Sequence, residues 1–141
     1  MKLSWLAVFA LPACGHAMSP DEAVGALQDP NPRVRQHAAD SLRAGNVVPG
    51  GAIPVLLQDL RTEQDPAVRG AIYITLGTSG APEAKPVLDQ AVAIAADPDS
   101  RRWASRALKA WMIQTGAVPA NSAFPPGWPY GQPGYPPILV R

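Results

Sequence analysis

Asn31-Pro32-Arg33-Val34-Arg35-Gln36-His37-Ala38-Ala39-Asp40-Ser41-Leu42 is a phrase that this chain uses three times. It returns as Asp65-Pro66-Ala67-Val68-Arg69-Gly70-Ala71-Ile72-Tyr73-Ile74-Thr75-Leu76, and again as Asp97-Pro98-Asp99-Ser100-Arg101-Arg102-Trp103-Ala104-Ser105-Arg106-Ala107-Leu108. Val34, Val68 and Ser100 hold the same place in successive units. Self-similarity at a nearly constant period of this kind indicates stacked helical pairs. Asn31, Asp65 and Asp97 can N-cap a helix, because their side-chain oxygens accept from backbone N–H groups. Proline next in line suits the first turn, where its missing donor costs nothing. Residues 34, 38 and 42, and their counterparts in the other two units, then share one helical face. Gly45 and Gly77 suit the left-handed position just past a helix end.

A further helix is expected ahead of each phrase. Ser19-Pro20-Asp21-Glu22 has the spacing of a capping box and leads into Ala23, Val24 and Leu27. Ile53, Leu56, Leu57 and Leu60 form a second apolar stripe, and Val87, Leu88, Ala91, Val92 and Ala95 a third. Pro54 and Pro86 fall near helix starts, where proline is tolerated. Alanine at the expected contacts lets the helices pack closely.

The repeated cap, proline, arginine and leucine resemble HEAT repeats, in the short form also found in phycobilin lyases. The resemblance covers roughly residues 19–113, about two-thirds of the chain. Unit three departs from it with Ser100 in place of valine. The Trp-x-x-Leu-Gly-x-x-Tyr phrase of tetratricopeptide repeats and the Thr-Pro-Leu-His-x-Ala phrase of ankyrin repeats are both absent. The resemblance implies an all-α fold, a short right-handed α-solenoid of about three helical hairpins. It places a repeat domain at 19–116, between a processing region at 1–18 and a disordered tail at 117–141. It also implies a non-enzymatic scaffold that binds a protein partner; a ligand-handling or lyase-like protein is the alternative.

Arg35, Arg69 and Arg101 occupy one position of successive units. The expectation is an internal ladder, each guanidinium bridging to an acid or carbonyl of a neighbouring unit, since stacked units must satisfy their interfaces. A row of anion-binding arginines along the concave face is the other reading.

Ahead of the repeats, Lys2 precedes a largely apolar run at residues 3–11, followed by small residues, which is the pattern of a secretory signal. The run is too short to span a bilayer, which takes about 20 apolar residues. Leu11-Pro12-Ala13-Cys14 resembles the lipobox of bacterial lipoproteins, in which Cys14 would be lipidated and would anchor the chain to a membrane. A cut after Ala17 and a buried capping helix at residues 3–11 are the competing readings. Export places the protein in the bacterial periplasm or on an envelope membrane.

Composition narrows the function classes. The 12 Lys and Arg residues face 11 Asp and Glu, and loss of Lys2 balances the signs. That lacks the basic excess of a nucleic-acid groove, so no nucleic-acid partner is expected. One cysteine, Cys14, excludes an internal disulfide and a thiolate cluster. The histidines are His16, near the processing site, and His37, which shares a face with Asp40 but has no nucleophile motif beside it. No His-x₃-His, Cys-x₂-Cys or EF-hand pattern occurs, so neither a metal nor a cofactor is expected. Asp97-Pro98-Asp99 reads as a cap with first-turn charge, and no enzyme activity is expected.

Candidate partner contacts lie elsewhere. Arg102, Arg106 and Lys109 line one face of the last helix, either as the polar outer face of a terminal repeat or as a docking patch for an acidic partner or a lipid headgroup. Trp103 and Trp111 on the same helix are expected to seal the end of the core. From Pro119 onward the 17-proline chain turns proline- and glycine-rich, with Trp128, Tyr130 and Tyr135 set between turns. Such a stretch cannot build its own core; it is either a free terminus or a partner-binding strip, with Ile138, Leu139 and Val140 available to fold back on the last repeat.

Overall fold

The computed structural model describes residues 17–44, 47–95 and 97–119. Cys14, His16, Gly45, Trp128, Tyr130 and Tyr135 lie outside the described residues. Among the described residues six helices follow one another: α1 (Pro20–Ala26), α2 (Pro32–Leu42), α3 (Ala52–Thr62), α4 (Pro66–Ser79), α5 (Ala84–Ile94) and α6 (Pro98–Gln114). No strand occurs among the described residues. The helices pair as three hairpins, α1–α2, α3–α4 and α5–α6.

Local chemistry sets the starts. Ser19 and Glu22 form a capping box: the Ser19 N–H donates to Glu22 Oε2 at 2.8 Å, and the Glu22 N–H donates to Ser19 Oγ at 3.3 Å. Asn31 Oδ1 accepts from the Arg33 N–H at 3.0 Å. Asp65 Oδ1 accepts from Ala67 and Val68 at 2.9 and 3.1 Å, and Asp97 Oδ1 from Ser100 at 2.8 Å. Proline follows each of these last three caps, at the first helical position. Ser100 occupies the buried place that Val68 takes in unit two. Its hydroxyl, followed by its N–H, holds the Asp97 carboxylate below the usual carboxylate range. The departure from valine is therefore absorbed by the cap.

The second helices of the hairpins stand side by side, with α4 between α2 and α6 and packed most extensively on α6. Each first helix packs against the second helix of its own hairpin. As the middle member, α4 is buried on nearly every side, at Val68, Gly70, Ala71, Ile72, Tyr73, Thr75, Leu76 and Gly77. The repeat leucines Leu42, Leu76 and Leu108 are all in the core, as are Ala38, Ile72 and Ala104 one helical turn before each. Leu56, Leu60, Leu88 and Val92 close it from the first-helix side.

Gly77 does not end its helix. Although it follows the repeat leucine, α4 continues to Ser79, and the left-handed residue is Gly80 at φ 63°. Gly77 is there for close approach. A Cβ on it would lie 2.7 Å from both the Cα and the carbonyl carbon of Ala107, and nearer still to its oxygen. Backbone therefore meets backbone where α4 crosses α6, an approach that side chains elsewhere prevent.

A buried hydroxyl joins α4 to α2 on the other side. Thr75 Oγ1 lies 2.8 Å from Ala39 O and 2.8 Å from Ala71 O, its own turn. Ala39 belongs to the last turn of α2, where carbonyls run out of intrahelical donors. Thr75→Val keeps the shape and strips that donor. It should lower stability by about 1 kcal/mol in a denaturant titration, with an unchanged m-value.

Candidate binding cleft at the junction of the first two hairpins

Arg35 leaves the first turn of α2 half-buried and meets Glu63, the residue that ends α3, in the next hairpin. Its Nε donates to Glu63 Oε2 at 2.8 Å and its Nη2 donates to Oε1 at 3.0 Å. The remaining nitrogen, Nη1, donates to the carbonyls of Asp29 and Pro30 at 2.9 and 3.1 Å. Glu63 is only 8% exposed. Its Oε1 also accepts from the N–H groups of Gln64 and Asp65, at 3.0 and 2.9 Å. The Arg35 hydrogen bonds, against the cost of burial, hold the Glu63 carboxyl below its ordinary value. Since Asp65 caps α4, the same carboxylate that receives Arg35 also fixes the entry to α4.

Of the three repeat arginines, Arg35 is the one that reaches a neighbouring unit. Arg69 turns within its own hairpin, where Nη1 donates to Leu60 O and Glu63 O at 3.1 and 2.9 Å and Nη2 to the Tyr73 hydroxyl at 3.1 Å. Ala95 stands in unit three where Glu63 stands in unit two, so Arg69 has no counterpart of the Arg35–Glu63 pair, although its charge helps to hold the Asp97 carboxylate of unit three low. The Arg101 N–H donates to Asp97 O at 3.3 Å within its helix, but its guanidinium makes no hydrogen bond or ion pair with the described residues. The expected ladder thus has one inter-unit rung, and the guanidinium donors of Arg35 and Arg69 are engaged internally rather than set out as a row for anions.

Beside the rung is a cleft of about 310 Å³, lined by Leu27, Gln28, Asp29, Pro30, Arg35, Asp59, Thr62, Glu63 and Gln64. Gln28 Nε2 donates to Asp59 Oδ1 at 2.6 Å. The other oxygen, Asp59 Oδ2, is buried and receives no hydrogen bond. Burial pushes the Asp59 carboxyl up, against the pull of Gln28, and the Glu63 charge adds to the rise. Two carboxylates one helical turn apart are therefore shifted in opposite directions: Glu63 has a cation and two amides, whereas Asp59 has one neutral donor.

Sequence reasoning singled out Arg35 but not Gln28, Asp59 or Glu63. A faint signal for Glu63 exists at the second residue before each cap, which reads Asp29, Glu63 and Ala95. Nothing local marks Asp59, because its partner Gln28 belongs to the preceding hairpin.

The face of α6 is a separate surface. Arg102 Nη1 lies 3.9 Å from Asp99 Oδ1, and the Arg106 guanidinium sits 5.2 Å from the centre of the Trp103 ring. Lys109 is half-buried on the same side, away from Ala104, Ala107 and Leu108. Trp103 covers Gly70 of α4. The Trp111 Nε1–H donates to Ala81 O at 2.8 Å, closing the α4–α5 turn, with the Lys85 ammonium 5.8 Å from its ring. Both indoles pack on the core from its edge. His37 is exposed, and Asp40 pairs with Arg43 at 2.7 Å. Among the described residues no group of three or more His, Cys, Asp or Glu side chains is placed to hold a metal ion, and no helix is long and apolar enough to cross a membrane.

No curated protein and no solved structure matches this chain. The family described as HEAT repeats matches residues 26–109, from the end of α1 into α6. That span contains α2, α4, the arginine rung and the greater part of α6, and the chain belongs to the HEAT-repeat family.

Proposed function

We propose that this protein is a non-catalytic scaffold of the bacterial cell envelope that binds a protein partner and is anchored through a lipid on Cys14. Membership of the HEAT-repeat family supports the first half, since stacked helical pairs offer extended surfaces that these proteins use for binding. The observation that carries it is how the repeat residues are used. Caps, leucines and two of the three repeat arginines are consumed inside the stack, which leaves the cleft and the α6 face as surfaces with polar groups toward solvent. The anchor rests on Leu11-Pro12-Ala13-Cys14 behind a short apolar run. Acyl chains contribute about 0.8 kcal/mol per buried CH₂, so a multiply acylated cysteine holds a membrane without a spanning helix.

Mass spectrometry of the mature N-terminus tests the anchor. A chain beginning at an acylated Cys14 is expected, and Cys14→Ala should abolish both the acyl mass and the membrane fraction. A chain starting at Met1 or at Met18 would remove the lipid from the reading. Crosslinking in the producing cell, followed by pull-down, tests the scaffold half; recovery of the protein alone at every concentration would count against it.

A further inference from the structure

The cleft beside Arg35 and Glu63 is more polar than helix stacking requires. The repeat supplies an internal control, because the α3 residues that line the cleft, and Glu63 after them, have sequence counterparts one unit later, in α5 and the residue after it. There Asp59, Thr62 and Glu63 are replaced by Ala91, Ile94 and Ala95. The repeat therefore carries apolar residues at these positions without loss of the fold, and Ile94 among them is left 68% exposed. At the first junction, by contrast, a buried carboxylate oxygen is left without a donor, an arrangement that costs stability.

The charges set the chemistry of an occupant. Arg35 and Glu63 neutralise each other at 2.8 Å, while Asp29 and Asp59 remain as negative charge in the lining. Asp29 Oδ1 accepts from the Asn31 N–H and Asp59 Oδ1 from the Gln28 amide, but Asp59 Oδ2 is the carboxylate oxygen of the lining that is buried with no donor. A volume of about 310 Å³ is at the bottom of the range for ligand pockets, roughly 300–1,000 Å³. It suits one long side chain better than a large cofactor. A planar guanidinium donates to both oxygens of a carboxylate at once, which a lysine ammonium does less well.

We propose that this cleft receives an arginine side chain of the protein partner, its guanidinium pairing with Asp59 in place of the Gln28 amide. The inference rests on the partner-binding reading above and names where and how that partner is held. Its energetic signature is a residue kept at a cost to the free fold.

The test is a titration of the ¹⁵N-labelled full chain with N-acetylarginine amide, against N-acetylcitrulline amide as the neutral isostere. Saturable shifts are expected at the amides of residues 28–31 and 59–65 with the arginine probe and not with citrulline. Asp59→Ala, which copies unit three, should weaken binding at least tenfold while the Tm stays level or rises. Asp59→Asn, closer in shape, should give the same loss and serves if alanine disturbs α3. The proposal is overturned by absence of a saturable shift, by an equal response to citrulline, or by wild-type affinity in both variants. A chain that captures a partner in cells yet ignores the arginine probe overturns this inference alone.

Discussion

Gly77→Ala is expected to lower stability by about 3 kcal/mol and to drop the Tm by on the order of 10 °C in a thermal scan followed by circular dichroism. Helix propensity argues the other way, since alanine inside a helix gains about 0.5–1 kcal/mol over glycine. Geometry decides the sign. The new methyl would stand 2.7 Å from two backbone atoms of Ala107, so the α4 and α6 axes must separate before it fits. That separation would loosen the whole tightest contact of the molecule, including buried Ala104 and Leu108. Gly70→Ala is the comparison: its Cβ would meet the Trp103 ring at 2.9 Å, and an indole at the edge of the core can swing aside. A Gly77→Ala variant as stable as wild type would mean that the crossing is looser than described.

Glu63→Ala is the second large effect. Removing one member of a buried pair typically costs about 3–5 kcal/mol. Here Arg35 keeps a side-chain exposure of 21% and can turn its charge toward water, so about 2 to 3 kcal/mol is expected from chemical denaturation. Replacing Arg35 with Met as well should recover much of the loss, because an apolar side chain there leaves no half-buried cation without its partner. The pH dependence has a definite sign. Glu63 titrates lower in the fold than in the unfolded chain, so its contribution is present above the unfolded value, near 4.5, and is lost as pH falls through the folded one. Asp59 is raised in the fold and works oppositely, its contribution being present at low pH and lost as pH rises through its folded value. In Glu63→Gln the acid-side fall in stability should flatten. An unchanged acid limb in that variant would place the acid sensitivity elsewhere, with Asp97 as the next group lowered by its fold.

The helix starts were legible because capping is local: Asn31, Asp65 and Asp97 each act on an N–H within the first turn that follows. The buried faces were legible for a similar reason, as period and apolarity are written along one helix. The end of α4 was not. Glycine after Leu76 has the look of a stop, but the need it meets is set by Ala107, on a different helix in the next hairpin. The arginines failed as a ladder on the same ground. Their equivalence in sequence hides the fact that Arg35 meets Glu63 of the next hairpin, whereas the counterpart of Glu63 one unit later is Ala95 and Arg69 turns to carbonyls of its own hairpin. Of the cleft only Arg35 was visible beforehand, since Gln28, Asp59 and Glu63 are brought together by stacking and share no motif.

The contacts of α4 with the other two second helices are unlike in kind. Toward α6 it offers glycine against backbone and an extensive apolar seam; toward α2 the contact is smaller and is helped by one threonine hydroxyl, with the Arg35–Glu63 pair beside it joining α2 to the end of α3. In a chain of nearest-neighbour units, cooperativity follows the coupling between neighbours. The last two hairpins are thus expected to open as one unit in native-state hydrogen exchange, with the first hairpin, joined along a partly polar seam, opening at lower cost. Breathing of that first hairpin opens the junction where Asp59 sits, so an occupant bridging it would act as a clasp, suppressing sub-global opening at the N-terminal end of the stack.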